Sequence, residues 1–262
     1  MTAPAPAPVQ ITRDGAVAVL QFNRPAAFNA LDAHAAEAFH TGCMALATDA
    51  SVRAVVVCGA GRSFGVGGDL AAMRGNAALV APQLIEGLHG GLKLLAAMDA
   101  PVIASLQGAV AGGSMSLALG CDLAIAADNA SFNLAYTRVG ASCDGSSSWA
   151  LPRLVGLRRA MEIALLSESL DAAEALRLGL VNRVVPAATL EAETMALARR
   201  LAAGPTLAYG RVKRLLRQSL DRDFAGQLDA EAEAFAAGTR TRDFHEGLEA
   251  FFAKRPPAFE GR

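Results

Sequence analysis

Ala100 to Cys121 runs for 22 residues without a charged side chain, so it must be buried, either across a membrane or inside a protein core. Pro101, Gln107, four glycines and three serines within it argue against a spanning helix. Val102 to Leu106 reads as a buried strand, Gly112-Gly113 interrupts it, and the apolar run beyond Gly113 reads as a helix leading toward Asp122. A glycine pair at a helix start exposes N–H groups that no helical carbonyl accepts, with no Cβ in the way and the positive end of the helix dipole behind them. Such a turn can hold partial negative charge, or it can simply bend the chain.

A second glycine-rich turn, Gly59 to Leu70 (GAGRSFGVGGDL), follows the apolar strand Arg53 to Cys58. Two strand-to-glycine-turn units can aim two backbone donors at one point, which is how an oxyanion hole for a thioester or ester carbonyl is built. The rest of the chain alternates strand and helix signals. Ile11 to Arg13 and Ala16 to Phe22 flank the hairpin dipeptide Asp14-Gly15, and Asp32 caps a helix running to about Thr48. Gln83 to Met98 is a second helix, and Asp122 to Ala126 a further strand. Helices follow at Leu157 to Leu166 and Asp171 to Leu178, then a strand at Val181 to Val185, then helix from Leu190 onward with breaks at Gly204-Pro205 and near Gly238. The pattern predicts an α/β fold with right-handed crossovers.

Twenty-four basic and 25 acidic residues leave a net charge of −1, with no electrostatic footprint for nucleic acid. Cys43, Cys58, Cys121 and Cys143 show no CxxC spacing and read as reduced thiols of a cytoplasmic protein, with no zinc site. The opening MTAPAPAP lacks a signal-peptide pattern and predicts a disordered tail over residues 1–9.

The segments NRPAAFNAL, PVIASLQGAVAGG and LPRLVG, together with both glycine turns, resemble the enoyl-CoA hydratase/isomerase family, also called the crotonase superfamily, from about Gln10 to Phe259. The resemblance implies a crotonase-type spiral of ββα units over residues 10–200 and a helical region over 201–262 that packs against neighbours in a homotrimer or homohexamer. It also implies an acyl-CoA substrate and no metal or redox cofactor, coenzyme A being part of the substrate. The N–H groups of Gly68 and Gly113 fall on the family's two oxyanion positions. Coenzyme A contacts are expected around Arg24, Phe28, Ala30, Asp69, Leu70 and Lys254, although Asp69 also reads as a turn and cap residue and Lys254 as part of a solvated tail. The basic residue that many relatives carry between NRP and NAL is absent here, where Ala26, Ala27 and Phe28 stand, so nucleotide affinity is expected either to be weaker or to be supplied by Arg24 or Arg62.

The carboxylates depart from the family pattern. Where a typical hydratase has two glutamates, this chain has Ser116 and Tyr136. Hydration across a double bond calls for two carboxylates, one activating water and one handling the proton. Asp144 falls where dienoyl-CoA isomerases carry a catalytic Asp and 4-chlorobenzoyl-CoA dehalogenase a nucleophilic one, though an Asp before Gly145 is also a common turn former. His89 matches the dehalogenase's general base, yet a histidine on a helix face is more often structural. Trp149 reads as core. The favoured reaction is double-bond isomerisation of an enoyl-CoA with Asp144 as base. Hydration through Asp144 alone, hydrolysis through a nucleophilic Asp144, and non-catalytic acyl-CoA binding remain as alternatives. GAGRSF is a near miss for a dinucleotide fingerprint, and Gly112 to Ser116 for a serine-hydrolase elbow with Asp144 and His245 in hydrolase order.

Overall fold

A computed structural model describes residues 7–262. Residues 1–6 of the expected tail lie outside the described part, and the remainder of that tail is tied down: Asn23 N–H donates to the Pro8 carbonyl, and β1 (Val9–Asp14) begins at Val9. β1 pairs antiparallel with β2 (Val17–Phe22), and Asp14 stands opposite Val17. The turn residues are therefore Gly15 and Ala16, one place beyond the expected pair, with Gly15 at φ +56. The positive φ is what requires glycine there, and Asp14, left at the strand end, binds Arg199 instead.

From β2 the large sheet continues parallel through β3 (Ala54–Gly59), β4 (Val102–Leu106), β6 (Leu123–Ala127) and β9 (Arg183–Val185). Its central strands β3, β4 and β6 are apolar on both faces because both faces are covered. Val55 and Val57 pack on one side with α1 (Ala33–Thr48) and α3 (Ala77–Ala97), while Ala54 and Val56 face Leu197, Ala198 and Ala202 of α7 (Leu190–Ala202). Asp32 caps α1 as expected, accepting the Ala35 N–H at 2.8 Å.

Helix α3 starts six residues earlier than Gln83. Pro82 removes one N–H donor, which a helix of 21 residues survives. Its glycines bring α1 close: a Cβ on Gly87 would come within 2.6 Å of the Ala36 carbonyl carbon, and one on Gly91 within 2.2 Å of the Phe39 ring. The region expected as strand, turn and helix after Pro101 resolves into β4, β5 (Ala109–Ala111) and α4 (Gly112–Gly120). β5 belongs to a second small sheet with β7 (Ser131–Asn133) and β8 (Leu170–Asp171). Beyond it run α5 (Ser147–Leu166), broken at Gly156 where φ is +73, and α6 (Ala172–Arg177), capped by Asp171. Trp149 is not core: it stands on α5 partly exposed under the Arg153 guanidinium, 4.1 Å from its ring centroid.

The chain closes with α8 (Thr206–Gln218), α9 (Phe224–Gly238) and α10 (Arg242–Phe252). Helix α8 is fastened to residues of the expected 10–200 core. Lys213, nearly buried, holds Asp122 Oδ2 at 2.7 Å and donates to the Ala100 carbonyl, and Arg217 holds Asp122 Oδ1 at 2.8 Å. Further out, Leu216, Leu220, Phe224, Phe235, Phe251 and Phe252 are exposed. The last three helices line an open apolar cleft of about 860 Å³ with Val212, Leu228, Phe235 and Phe244 in its wall, and none of the candidate site residues lines it. Among the described residues no helix is long and apolar enough to cross a membrane.

Candidate active site

The Gly59 turn and the Gly112-Gly113 turn meet. Gly65 N–H donates to the Ala109 carbonyl at 3.1 Å, Ala111 N–H returns a bond to Gly65, and a Cβ on Gly67 would lie 2.9 Å from Gly113 N. Gly113 is the second residue of α4, where an N–H has no intrahelical acceptor. Leu31 N–H donates to the Gly67 carbonyl at 2.7 Å. In a trans peptide the C=O and N–H point opposite ways, so that bond turns the Gly68 N–H away from Leu31. Neither the Gly68 nor the Gly113 N–H donates to a partner among the described residues.

Beside this pair the structure joins two residues 55 apart in sequence: His89 Nε2 stands 2.6 Å from Asp144 Oδ1. A carboxylate can only accept, so at this distance the proton sits on Nε2 and is donated to Asp144. The Gly145 N–H reaches the same nitrogen only at 3.4 Å. Leu88 links this dyad to the glycines, because its Cδ2 would touch a Cβ placed on Gly113 at 3.7 Å or on Gly145 at 3.2 Å. The Asp144 carbonyl is gripped by the Ser147 hydroxyl at 2.9 Å and the Tyr136 hydroxyl at 3.3 Å. Aspartate 144 is thus a turn residue and a held carboxylate at once.

Ser116 and Tyr136 bond to each other, Oγ to Oη at 3.0 Å, and Ser116 is fully buried. Burial, opposed by the Ser116 hydrogen bond and reinforced by the nearby Asp144 charge, pushes the Tyr136 phenol up to about 12. It therefore stays neutral at any physiological pH. The unfolded chain ionises this tyrosine near pH 10, whereas the folded protein holds the proton to about 12, so folding loses stability as pH rises through that window. Tyr136→Phe should remove this loss, narrowing the stability gap to wild type by roughly 2 kcal/mol between pH 9.5 and 11.5 in urea titrations. A constant gap would show that the phenol is not held this way.

Of the expected coenzyme A residues, those from Arg24 to Ala30 and Asp69-Leu70 adjoin the Gly68 loop, whereas Lys254 follows the end of α10. Arg24 is committed internally, to Asp32 at 3.0 Å, Asp69 at 3.1 Å and the Ala30 carbonyl at 2.5 Å, which weakens its claim on a nucleotide. Asp69 caps α2 (Leu70–Met73) through the N–H groups of Ala71 and Ala72. Partial burial works against its ionisation, but those amides and Arg24 outweigh it and hold the carboxyl below the usual range. Phe28 sits at φ +52 with the Arg62 guanidinium 4.2 Å over its ring. Ala30 is buried, and Leu70 and Lys254 are exposed. Arg255, the neighbour of Lys254, is paired with Glu246. His245 lies on α10 beside Phe244, and Asp144 takes His89 instead, so the hydrolase-order triad does not form. Among the described residues no three His, Cys, Asp or Glu side chains gather as a metal site. Ser114 and Ser147 are the residues that sequence reasoning missed; nothing in the spacing pairs the first with Gly67 or the second with Asp144.

An α/β scaffold that presents two free backbone N–H groups beside a carboxylate hydrogen-bonded to a histidine defines a class: proteins equipped to hold a carbonyl oxygen next to a group that can accept a proton. The chain belongs to the enoyl-CoA hydratase/isomerase family, whose model matches residues 12–262. It is 37% identical to a Rhodobacter capsulatus protein named "Probable enoyl-CoA hydratase", covering 94% of this chain and 95% of that one. Identity is 34% to the 1,2-epoxyphenylacetyl-CoA isomerase of Escherichia coli (94% and 95% covered) and 33% to 4-chlorobenzoyl coenzyme A dehalogenase-2 of Arthrobacter (94% and 91%). The crystal structure of an enoyl-CoA hydratase from Polaromonas superposes with a TM-score of 0.90 at 33% identity, over 96% of this chain and 99% of that one. The crotonase-type fold expected from the motifs is therefore the fold of this protein.

Proposed function

We propose that this protein is an acyl-CoA isomerase that moves a double bond from the 3 to the 2 position of an enoyl-CoA. The observation that carries this reading is the pairing of Asp144 with His89 beside the two free glycine amides. His89 occupies Oδ1, which leaves Oδ2 to take a proton from carbon 2. The electron pair moves onto the thioester oxygen, where the Gly68 and Gly113 N–H groups hold it, each worth about 2.7–4 kcal/mol in the transition state. The same carboxylate returns the proton to carbon 4, and the double bond ends between carbons 2 and 3. One carboxylate suffices because the proton leaves and returns on one group. Hydration is disfavoured by the mutual Ser116–Tyr136 bond at the positions where hydratases use glutamates. The exposed apolar side chains of α8 to α10 fit a trimer or hexamer in which neighbouring copies cover them.

A second reading is favoured by the same short contact. Asp144 attacks the chlorine-bearing ring carbon of a 4-chlorobenzoyl-CoA, chloride leaves with its bonding pair as the aryl ester forms, and His89 then takes a proton from the water that hydrolyses the ester and frees Asp144. Incubation with 3-enoyl-, 2-enoyl- and 4-chlorobenzoyl-CoA in ¹⁸O-water separates the possibilities. Isomerisation shifts the double bond without new oxygen, hydration adds oxygen at carbon 3, and the nucleophilic route puts ¹⁸O into Asp144 after several turnovers. Binding of all three without turnover would identify an acyl-CoA binder and overturn the isomerase.

A further inference from the structure

We propose that Ser114 is a positioning residue that sets the spacing and direction of the two glycine donors. The inference rests on the oxyanion-hole reading of Gly68 and Gly113 and adds a side chain to it. Gly113 is carried by helix α4, whereas Gly68 belongs to the loop between β3 and α2 and is held there by a bridge to Leu31, which donates to the Gly67 carbonyl and accepts the Asp69 N–H at 2.8 Å. What fixes that loop can be followed atom by atom. Gly65 is bridged to β5 through Ala109 and Ala111. Two residues later the Gly67 N–H donates to Ser114 Oγ at 3.1 Å, and the Gly67 carbonyl accepts from Leu31. Gly67 is therefore held at both of its peptide groups, and the second of those peptides is the one whose N–H belongs to Gly68.

Ser114 is nearly buried, so the Gly67 N–H that it satisfies would otherwise be a buried donor without a partner. The fit is close. A Cβ on Gly65 would lie 2.4 Å from Ser114 Oγ, and Gly67 adopts φ +86, so the loop wraps its backbone around this one hydroxyl. Ser114 follows Gly113 directly on the rigid helix. It thus ties the loop-borne half of the hole to the helix-borne half, one residue away from the Gly113 donor.

Two substitutions test this. Ser114→Ala removes the acceptor, and Ser114→Cys keeps the shape while offering a weak one. In both, kcat on a 3-enoyl-CoA should fall about tenfold with KM within twofold, because the hole is misplaced for the developing oxyanion rather than closed to substrate. Acetoacetyl-CoA gives a readout independent of turnover, since its enolate absorbs in the near ultraviolet and a working hole raises the bound enolate fraction. That absorbance should drop in both variants while the Kd for butyryl-CoA, a ground-state thioester, stays within twofold of wild type. If Ser114→Ala fails to fold, the Cys variant carries the test. Wild-type kcat and full enolate absorbance in the Cys variant would overturn the role of Ser114 alone. A wild-type protein that binds acetoacetyl-CoA with no gain in enolate would overturn the hole itself, and Ser114 with it.

Discussion

Asp144→Asn should leave a folded protein whose kcat on a 3-enoyl-CoA is lower by about 10³-fold, within the range for loss of a positioned general base. The amide keeps the shape of the carboxylate and can still bond to His89 Nε2, and the backbone carbonyl of residue 144, which the substitution leaves in place, still accepts from Ser147 and Tyr136, so the site geometry should survive. What it cannot do is accept a proton from carbon 2. KM should change little, because the thioester oxygen still meets Gly68 and Gly113, and loss confined to kcat marks an interaction made only in the transition state. Activity within tenfold of wild type would remove Asp144 from the proton path and leave the proposed isomerisation without a base.

The largest effect on stability should come from Asp122, far from any chemistry. Its carboxylate holds Lys213 and Arg217 of α8 and also accepts the Val102 N–H at 2.9 Å. Breaking one side of a buried ion pair costs about 3–5 kcal/mol, so Asp122→Ala should lower the melting temperature by roughly 10 °C. Burial already pulls the Lys213 amine below its usual pKa, with Asp122 pulling the other way, and without Asp122 it should fall further. A lysine depressed in the folded state binds fewer protons there than in the unfolded chain, so the variant gains stability as pH rises toward 10.5. The deficit against wild type should therefore shrink between pH 7 and pH 9.5 in urea titrations. A deficit under 1 kcal/mol, or one indifferent to pH, would mean that α8 is held by its apolar contacts instead.

The elements that could be read from the chain are those whose signal is local. Asp32 and Asp171 announce helix starts because a cap bonds within three residues, and β3 and β4 announce themselves because strands buried on both faces are continuously apolar. The small sheet was silent because β5 and β7 are three residues each and pair in parallel across a gap that leaves no turn signal. The start of α3 was misplaced because Pro82 punctuates the sequence more strongly than it disturbs the helix. At the site, both glycine turns were legible through their backbone demands. His89 was weighed as a structural histidine because its partner lies 55 residues away, and no spacing rule connects a helix face to a turn across that distance.

The bond between Ser116 and Tyr136 bears on how such a site can change over evolutionary time. Each hydroxyl is the other's partner in a closed space, where a Cβ on Gly145 would come within 3.0 Å of Ser116 Cβ. A glutamate introduced at Ser116 alone would crowd Gly145 and set a second negative charge near Asp144, and one introduced at Tyr136 alone would leave the serine hydroxyl only the Gly112 carbonyl at 3.3 Å and empty the volume of a ring. Neither step is favourable before the other has been taken. The route between this site and one with two glutamates therefore crosses a mutational valley, and a lineage that has acquired the hydroxyl pair is held to a single carboxylate by packing as well as by selection for its reaction.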